Sequence, residues 1–290
     1  NAGLCQVALV LYGSTAASNS MAIGTGGTGG SRNPDAAFSA PYGMTTVGSY
    51  ATYANLHMDT YGTTSEQLAE IAVTMRQHAS LNPRAKMRNP ITVNDVLDSR
   101  MISRPLHLLD CCIISDGGGA VVVTSLERAR DLAKPPVQLL GCGEAVQHQG
   151  VGYSDILTIA AKQSGARAFE MAGVKHSDID LAMIYDSFTI TVLATLENLG
   201  FCPVGEGGNF VSNGGIALGG TLPVNPDGGG LSSNHPGMRG IFLVIEAVKQ
   251  LRDECDARQV PKAEVALAHG TGGTIGDKHS GATLILGVDR

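Results

Sequence analysis

Apolar runs of strand length alternate along this chain with stretches of helical periodicity, and Gly, Pro and Asn punctuate the boundaries. The run "QVALVLY" (6–12) reads as a buried strand. Residues 47–61 and 64–80 read as helices. In "TTSEQLAEIAVTMRQHAS" the cap is Thr64 or Ser65, and Leu68, Ile71, Ala72 and Met75 share one face. Pro breaks and a short helix follow in "LNPRAKMRNPITVNDVLDSRMI". "LHLLDCCIISDGGGAVVVTSLERARDL" predicts a strand, a turn at Asp116–Gly119, a second strand and a helix. After Lys134-Pro135-Pro136 come a strand "PVQLLGCGEAV" and an amphipathic helix "DILTIAAKQSGARAFEMAGV". "IDLAMIYDSFTITVLATLENLGF" is a strand running into a helix. A helix over 237–252, a strand "EVALAHG", a Gly-rich turn and a last strand "ATLILGV" complete the pattern. Strands alternating with helices predict an α/β fold with helices on both faces of the sheet. The Pro linker marks a boundary between a unit at 1–134 and one at 135–290.

Composition narrows the class. With 43% hydrophobic and 16% charged residues, the 290-residue chain builds a sizeable core and is not disordered. A net charge of −6 and no Lys/Arg run argue against nucleic acid as a partner. Six cysteines include no CxxC, so neither a zinc ribbon nor any other metal site is expected. The adjacent Cys111 and Cys112 suit a buried strand better than a disulfide framework, which points to a reducing, cytoplasmic compartment. No apolar run is long enough for a membrane span, and no signal peptide is read. The chain opens on a strand pattern with almost nothing before it, so the first unit is expected to lack its upstream part.

Chemistry concentrates at three strand ends in the second unit, where open α/β sheets bind ligands. They are "YDSF" (185–188), "SSNHPG" (232–237) and "HGTGG" (269–273). Tyr185 and Asp186 also suit a helix cap, His235 a core histidine, His269 a structural one and the glycines a hairpin turn. The functional reading is that the bare backbone of Gly228–Gly230 brings N–H groups to a ligand oxygen, with the His235 imidazole donating beside them. Pro236 sets the entry angle of the next helix. Gly24–Gly29 matches GxGxxG, yet it lies far from any strand and opens no clear helix, so a loop is the better reading. Arg84, Lys86 and Arg88 form a modest basic cluster, read as a solvated face.

Together these segments resemble the thiolase superfamily, in its sterol-carrier-protein/lipid-transfer-protein-like branch. "NPDGGGLSSNHPGMRG" is similar to the family's Asn-Pro-x-Gly-Gly…Gly-His-Pro element. "YDSFT" stands where the branch has His-Asp-Cys-Phe, and "HGTGG" where many thiolases have Cys-x-Gly-Gly-Gly. "LLDCCIISDGGGAVVVTSLERAR" resembles the segment closing the first thiolase half. The resemblance implies a five-layer αβαβα architecture of two similar halves, here with the first truncated, and a homodimer. It implies chemistry on a coenzyme A thioester as substrate, with no permanently bound cofactor. Region 13–105 then corresponds to the covering loop, with Ala40, Met44, Met75, Met87 and Met101 as acyl-pocket candidates, though packing explains them as well. Members of the branch often pair with a small OB-fold, zinc-ribbon protein.

Departures from the family pattern bear on mechanism. The family's nucleophilic cysteine falls upstream of residue 1, and Cys5 looks structural. His269 stands for the later cysteine, Ser187 for the cysteine of His-Asp-Cys-Phe, and Tyr185 for its histidine. Proton transfer is therefore assigned among His235, His269, Tyr185 and Asp186, with Ser187 beside them. Asn234, Gly270, Gly272 and Gly273 are the expected oxyanion and substrate contacts. Three readings follow: a thiolase-like acyltransferase, preferred because "SNHPG" and "HGTGG" look like ordinary thiolases; a retro-aldolase cleaving a 3-hydroxyacyl-CoA; and a non-catalytic thiolase-like subunit.

Overall fold

A computed structural model of the chain describes residues 5–20, 45–148, 155–276 and 278–289. The GxGxxG match, Ala40 and Met44 lie outside them. In chain order the elements are β1 (Val7–Thr15), α1 (Thr46–Tyr61), α2 (Ser65–Ser80), α3 (Val93–Leu97), β2 (Met101–Ser103), β3 (Leu106–His107), β4 (Asp116–Thr124), α4 (Leu126–Arg130), β5 (Val137–His148), α5 (Ala161–Ala172), β6 (Leu181–Ile184), α6 (Thr189–Leu199), α7 (Gly207–Ser212), α8 (Gly240–Leu251), β7 (Val265–Gly273) and β8 (Lys278–Val288).

The main sheet has the order β5-β8-β7-β6. β6 and β7 run parallel; β7–β8 and β8–β5 are antiparallel. Alternation along the strands divides its two faces. Ala182, Ile184, Leu267 and Ile285 face a core shared with α5, α6, α1 and α2. Leu181, Met183, Ala266, Ala268 and Leu286 face α8 through Leu243, Ala247 and Leu251. On its other side α8 carries the β1–β4 ribbon. The described elements thus stack as helices, sheet, helix and ribbon, four successive layers of an α/β architecture.

α2 starts as its sequence predicts. Thr64 is the N-cap, its hydroxyl accepting from the Gln67 N–H while the Gln67 side chain returns to the Thr64 N–H. Leu68, Ile71, Ala72 and Met75 are buried on one face.

Three expectations are corrected. Asp116–Gly119 forms no turn; these residues are the start of β4, paired in register with Tyr12–Thr15. The glycines let the strand lie on α8: a Cβ at Gly119 would stand 2.4 Å from Ile245 Cδ1. Likewise Gly270–Gly273 is the end of β7, held against β8 from Gly270↔Ala282 to Gly273↔His279. Finally, β1 is not buried. The ribbon packs one face on α8, leaving Leu9, Leu11 and Val122 more than half exposed on the other. Among the described residues no helix is long and apolar enough to cross a membrane. No group of three or more His, Cys, Asp or Glu is placed to hold a metal there.

Candidate functional site

β6 ends at Ile184, and the next residue continues its alternation, so Tyr185 projects on the α8 side of the sheet. Its hydroxyl lies 2.8 Å from Nε2 of His235, fifty residues later, with the rings tilted at 33°. The imidazole is buried, and among the described residues its Nδ1 has no hydrogen-bond partner. Burial, then the nearby Arg239 guanidinium, pulls the His235 pKa down to about 4. The ring is therefore neutral at physiological pH. Burial raises the Tyr185 pKa, so the phenol keeps its proton. In this pair the phenol can donate and the neutral Nε2 accept, so a proton arriving at the phenol oxygen can be relayed to the imidazole and returned along one hydrogen bond.

The neighbouring carboxylate has a different task. Asp186 is fully buried and accepts from the Gly230 N–H at 2.6 Å and the Leu231 N–H at 3.1 Å. Gly229 and Gly230 make room for this contact, whereas Gly228 makes room for Ala79 of α2. Gly229 has φ +67, and a Cβ there would stand 2.0 Å from Asp186 Oδ2. Of the N–H groups assigned above to a ligand oxygen, that of Gly230 is spent on Asp186, that of Gly229 on Asp227 Oδ1 at 3.1 Å and that of Gly228 on the Asn225 carbonyl at 2.9 Å. Gly229 and Gly230 lie in a single π-helical turn, Gly229–Ser233, that leads directly to Asn234 and His235. Arg239 completes the frame, paired with Asp227 and 3.9 Å from Asp186. Burial pushes the Asp186 pKa up to about 6, against the pull of Arg239 and the two N–H donors.

Ser115 fixes the His235 backbone. Its Oγ accepts from the His235 N–H at 2.9 Å, and its own N–H donates to the His235 carbonyl at 3.3 Å. The Tyr12 hydroxyl donates to the Pro236 carbonyl at 2.7 Å. Sequence reasoning named neither Ser115 nor Arg239. The flanking Asp227 and Arg239, one on either side of the glycines and histidine, were the available signal.

The remaining expected residues divide. Asn234 sits half-buried beside His235, its Oδ1 without a hydrogen-bond partner among the described residues. Gly270 is on the same face as Tyr185, because Ile184 pairs with His269 and the Tyr185 N–H donates to the His269 carbonyl. His269 itself is turned to the opposite face. Its Nδ1 is 2.8 Å from Thr283 Oγ1, which meets Ser164 Oγ at 2.9 Å, and burial holds its pKa near 3. The strand alternation that carries Tyr185 forward carries His269 back, so the two side chains do not meet. Ser187 is buried, its Oγ 3.0 Å from Thr191 Oγ1.

Gly272 and Gly273 are absorbed in the hairpin. Met75 is core, while Met87 and Met101 are surface residues. In the basic cluster, Lys86 Nζ donates to the Ile114 carbonyl and Arg88 to that of Ser80.

Thiols near the pair are poor nucleophiles. Cys112 is close enough to Tyr185 and Asp186 to interact electrostatically with both, and burial raises its pKa. Burial pushes Cys111, which bridges to Phe188, up to about 12. Only a thiolate attacks a thioester effectively.

Comparison with known proteins gives a consistent picture. The family model described as thiolase C-terminal domain-like matches residues 143–288. An acetyl-CoA acetyltransferase of Methanothermobacter thermautotrophicus is 41% identical over 245 residues, 83% of this chain and 64% of that protein. A steroid side-chain-cleaving aldolase of Thermomonospora curvata is 38% identical over 263 residues, 86% of this chain and 64% of that protein. The solved structure of an Ltp2-ChsH2(DUF35) aldolase superposes with a TM-score of 0.85 at 36% identity, covering 99% of this chain and 74% of that one. The chain thus spans 64% of the length of both curated relatives.

Proposed function

The chain belongs to the thiolase superfamily, in its sterol-carrier-protein-like branch, and on that premise we propose that it breaks a carbon–carbon bond in a coenzyme A thioester by retro-aldol cleavage of a 3-hydroxyacyl-CoA. The observation that carries this reading is the buried Tyr185–His235 hydrogen bond. Cleavage needs a group to take the proton of the 3-hydroxyl and a group to return one to the departing enolate. The substrate hydroxyl gives its proton to the Tyr185 oxygen as the phenol proton moves to His235 Nε2. The C2–C3 bond breaks, C3–O becomes a carbonyl, and the electron pair remains on the thioester as an enolate. The relayed proton then returns to C2, so atoms and charge balance. Asn234, next to His235, is assigned to the thioester oxygen through its side-chain amide, a well-directed donor there being worth roughly 3 kcal/mol. No covalent acyl-enzyme is required, in keeping with the raised thiols around the pair.

A second reading, acyl transfer between a 3-oxoacyl-CoA and coenzyme A, is favoured by the 41% identity to an acetyltransferase. It needs a nucleophile outside the Tyr185–His235 pair. Mass spectrometry of the intact protein after incubation with acyl-CoA separates the two. Retro-aldol cleavage predicts no adduct and release of an aldehyde or ketone; a stable acyl adduct overturns it. Absence of both points to the non-catalytic subunit. By analogy with the DUF35-containing aldolase, a small OB-fold, zinc-ribbon partner is proposed, together with a homodimer and a cytoplasmic location.

A further inference from the structure

Residues 111–115 lead into β4 without belonging to a strand, and they run along both segments that form the candidate site. Cys111 bridges to Phe188, and the Cys112 N–H donates to the Ser187 carbonyl at 2.9 Å, close after Tyr185 in the chain. The Ile113 N–H donates to the Gly230 carbonyl at 2.9 Å. Ser115 then grips His235 from both sides. Its Oγ accepts from the His235 N–H at 2.9 Å, and its N–H donates to the His235 carbonyl at 3.3 Å. One short strap of the first unit is thus stitched in succession to the phenol's segment, the glycine turn and the imidazole's own backbone.

The His235 ring has little else to direct it. Among the described residues its Nδ1 has no partner, and Nε2 meets the Tyr185 hydroxyl. A ring with one nitrogen unbonded takes its aim from packing and from the backbone that carries it. That backbone is held by the two Ser115 bonds and, at the next residue, by the Tyr12 hydroxyl on the Pro236 carbonyl at 2.7 Å. Ser115 is itself buried, so no water replaces its Oγ once it is removed, and the His235 N–H is left unsatisfied. Residues 143–288, which match the family model, contain Tyr185, Asp186 and His235 but neither Ser115 nor Tyr12.

We infer that Ser115 is a positioning residue for the reaction, acting through the main chain of His235 to hold the imidazole against Tyr185. The first unit thereby sets the geometry of a pair that lies wholly in the second. The inference rests on Tyr185 and His235 being the reacting pair. A displacement on the order of 1 Å at a reacting group costs up to about 100-fold in rate. The loss belongs in kcat, because Ser115 acts on the proton relay and not on the bound thioester.

The test compares wild type with Ser115→Ala and Ser115→Thr in two readouts. In turnover of a 3-hydroxyacyl-CoA, Ser115→Ala is expected to lose about 10-fold or more in kcat with KM little changed. Ser115→Thr keeps the hydroxyl and is expected to recover most of that loss. A Ser115→Ala variant with wild-type kcat, or a Ser115→Thr variant no better than Ser115→Ala, overturns the inference. The second readout is nitrogen NMR of protein labelled at histidine, the His235 ring signals being those lost in His235→Gln. They are expected to move in Ser115→Ala, while those of His269, on the opposite face of the sheet, stay in place. Unmoved His235 signals overturn the inference. This readout needs no catalysis. If wild type cleaves no 3-hydroxyacyl-CoA, the retro-aldol reading falls, and the ring signals alone decide whether Ser115 positions His235. Thermal melting shows whether Ser115→Ala folds. Should it not, Tyr12→Phe, which takes the donor from the Pro236 carbonyl, replaces it: moved His235 signals support the inference and unmoved ones overturn it.

Discussion

Tyr185 Oη and His235 Nε2 are 2.8 Å apart although fifty residues separate them, because Asp186 ties the two segments together. One face of the strand end presents the phenol; the next residue's carboxylate holds the glycine turn that delivers the imidazole. Site and scaffold are thus adjacent residues with separate duties. Several consequences can be measured.

Asp186 is a positioning residue, and its replacement is expected to act through His235. Asp186→Asn keeps the volume but turns one acceptor into a donor facing the Gly230 and Leu231 N–H groups. Hydrogen bonds to a buried charged group are worth about 1.5–3 kcal/mol each, and a loss of that order should appear in the urea midpoint. The pH profile of kcat/KM should also move, because His235 is no longer held in its present surroundings. A variant with normal stability and an unchanged profile contradicts this role.

Gly229 tolerates no side chain. Gly229→Ala combines positive φ with a Cβ 2.0 Å from Asp186 Oδ2. Left-handed backbone in a non-glycine residue costs about 1–3 kcal/mol, and overpacking a further 1–3. The melting temperature should fall more than for Gly270→Ala, where a Cβ would meet no described atom within 4 Å; similar melting temperatures would refute the contact.

Acid should destabilise the protein from just below neutrality. His235 and His279 are held near 4 and His269 near 3, all chiefly by burial, against about 6.5 in an unfolded chain. Above that value the histidines are neutral in both states. As pH falls below it, the unfolded chain takes up protons the folded one refuses, so the imidazole contribution is lost progressively down to the folded values. Asp186, raised to about 6, acts in the opposite sense between there and its unfolded value of about 3.8, as does Asp110, also raised by burial; His78 is lowered by burial too, so four imidazoles stand against two carboxylates. Denaturant midpoints between neutral pH and about pH 4 test this. A flat profile would contradict the burial of these rings.

His269 and His235 should separate functionally. His269→Gln removes a ring bonded to Thr283 on the far face of the sheet. It is expected to lower stability and leave kcat within a few-fold of wild type, whereas His235→Gln should lower kcat by about 100-fold or more, the scale of acid–base catalysis. Comparable losses of kcat would place His269 in the reaction.

The sequence made much of this legible, and the gaps have physical causes. Helix starts were readable where local chemistry decides them, as with the Thr64 cap. Two of the three expected strand ends were readable, because polar residues follow apolar runs at 185 and 269; residues 232–237 end no strand, lying in the π-helical turn and the loop before α8. Glycine runs were misleading at 117–119 and 270–273. Turn chemistry and close strand packing use the same residue, and the partner that decides between them, α8 for Gly119 or Ser280 for Gly272, lies far along the chain. The orientation of His269 needed the register of β6 against β7, since a shift of one residue changes the face. The target of the 230–231 backbone was equally non-local, being a carboxylate 44 residues upstream of Gly230.

The most direct test of the account is the rate at which Tyr185→Phe cleaves a 3-hydroxyacyl-CoA, followed by release of the carbonyl product. The substitution removes one oxygen and leaves the ring, so the fold should persist. The account predicts a fall in kcat of at least about 100-fold relative to wild type, with no acyl adduct on either protein. A Tyr185→Phe variant that releases the carbonyl product at the wild-type rate would contradict it.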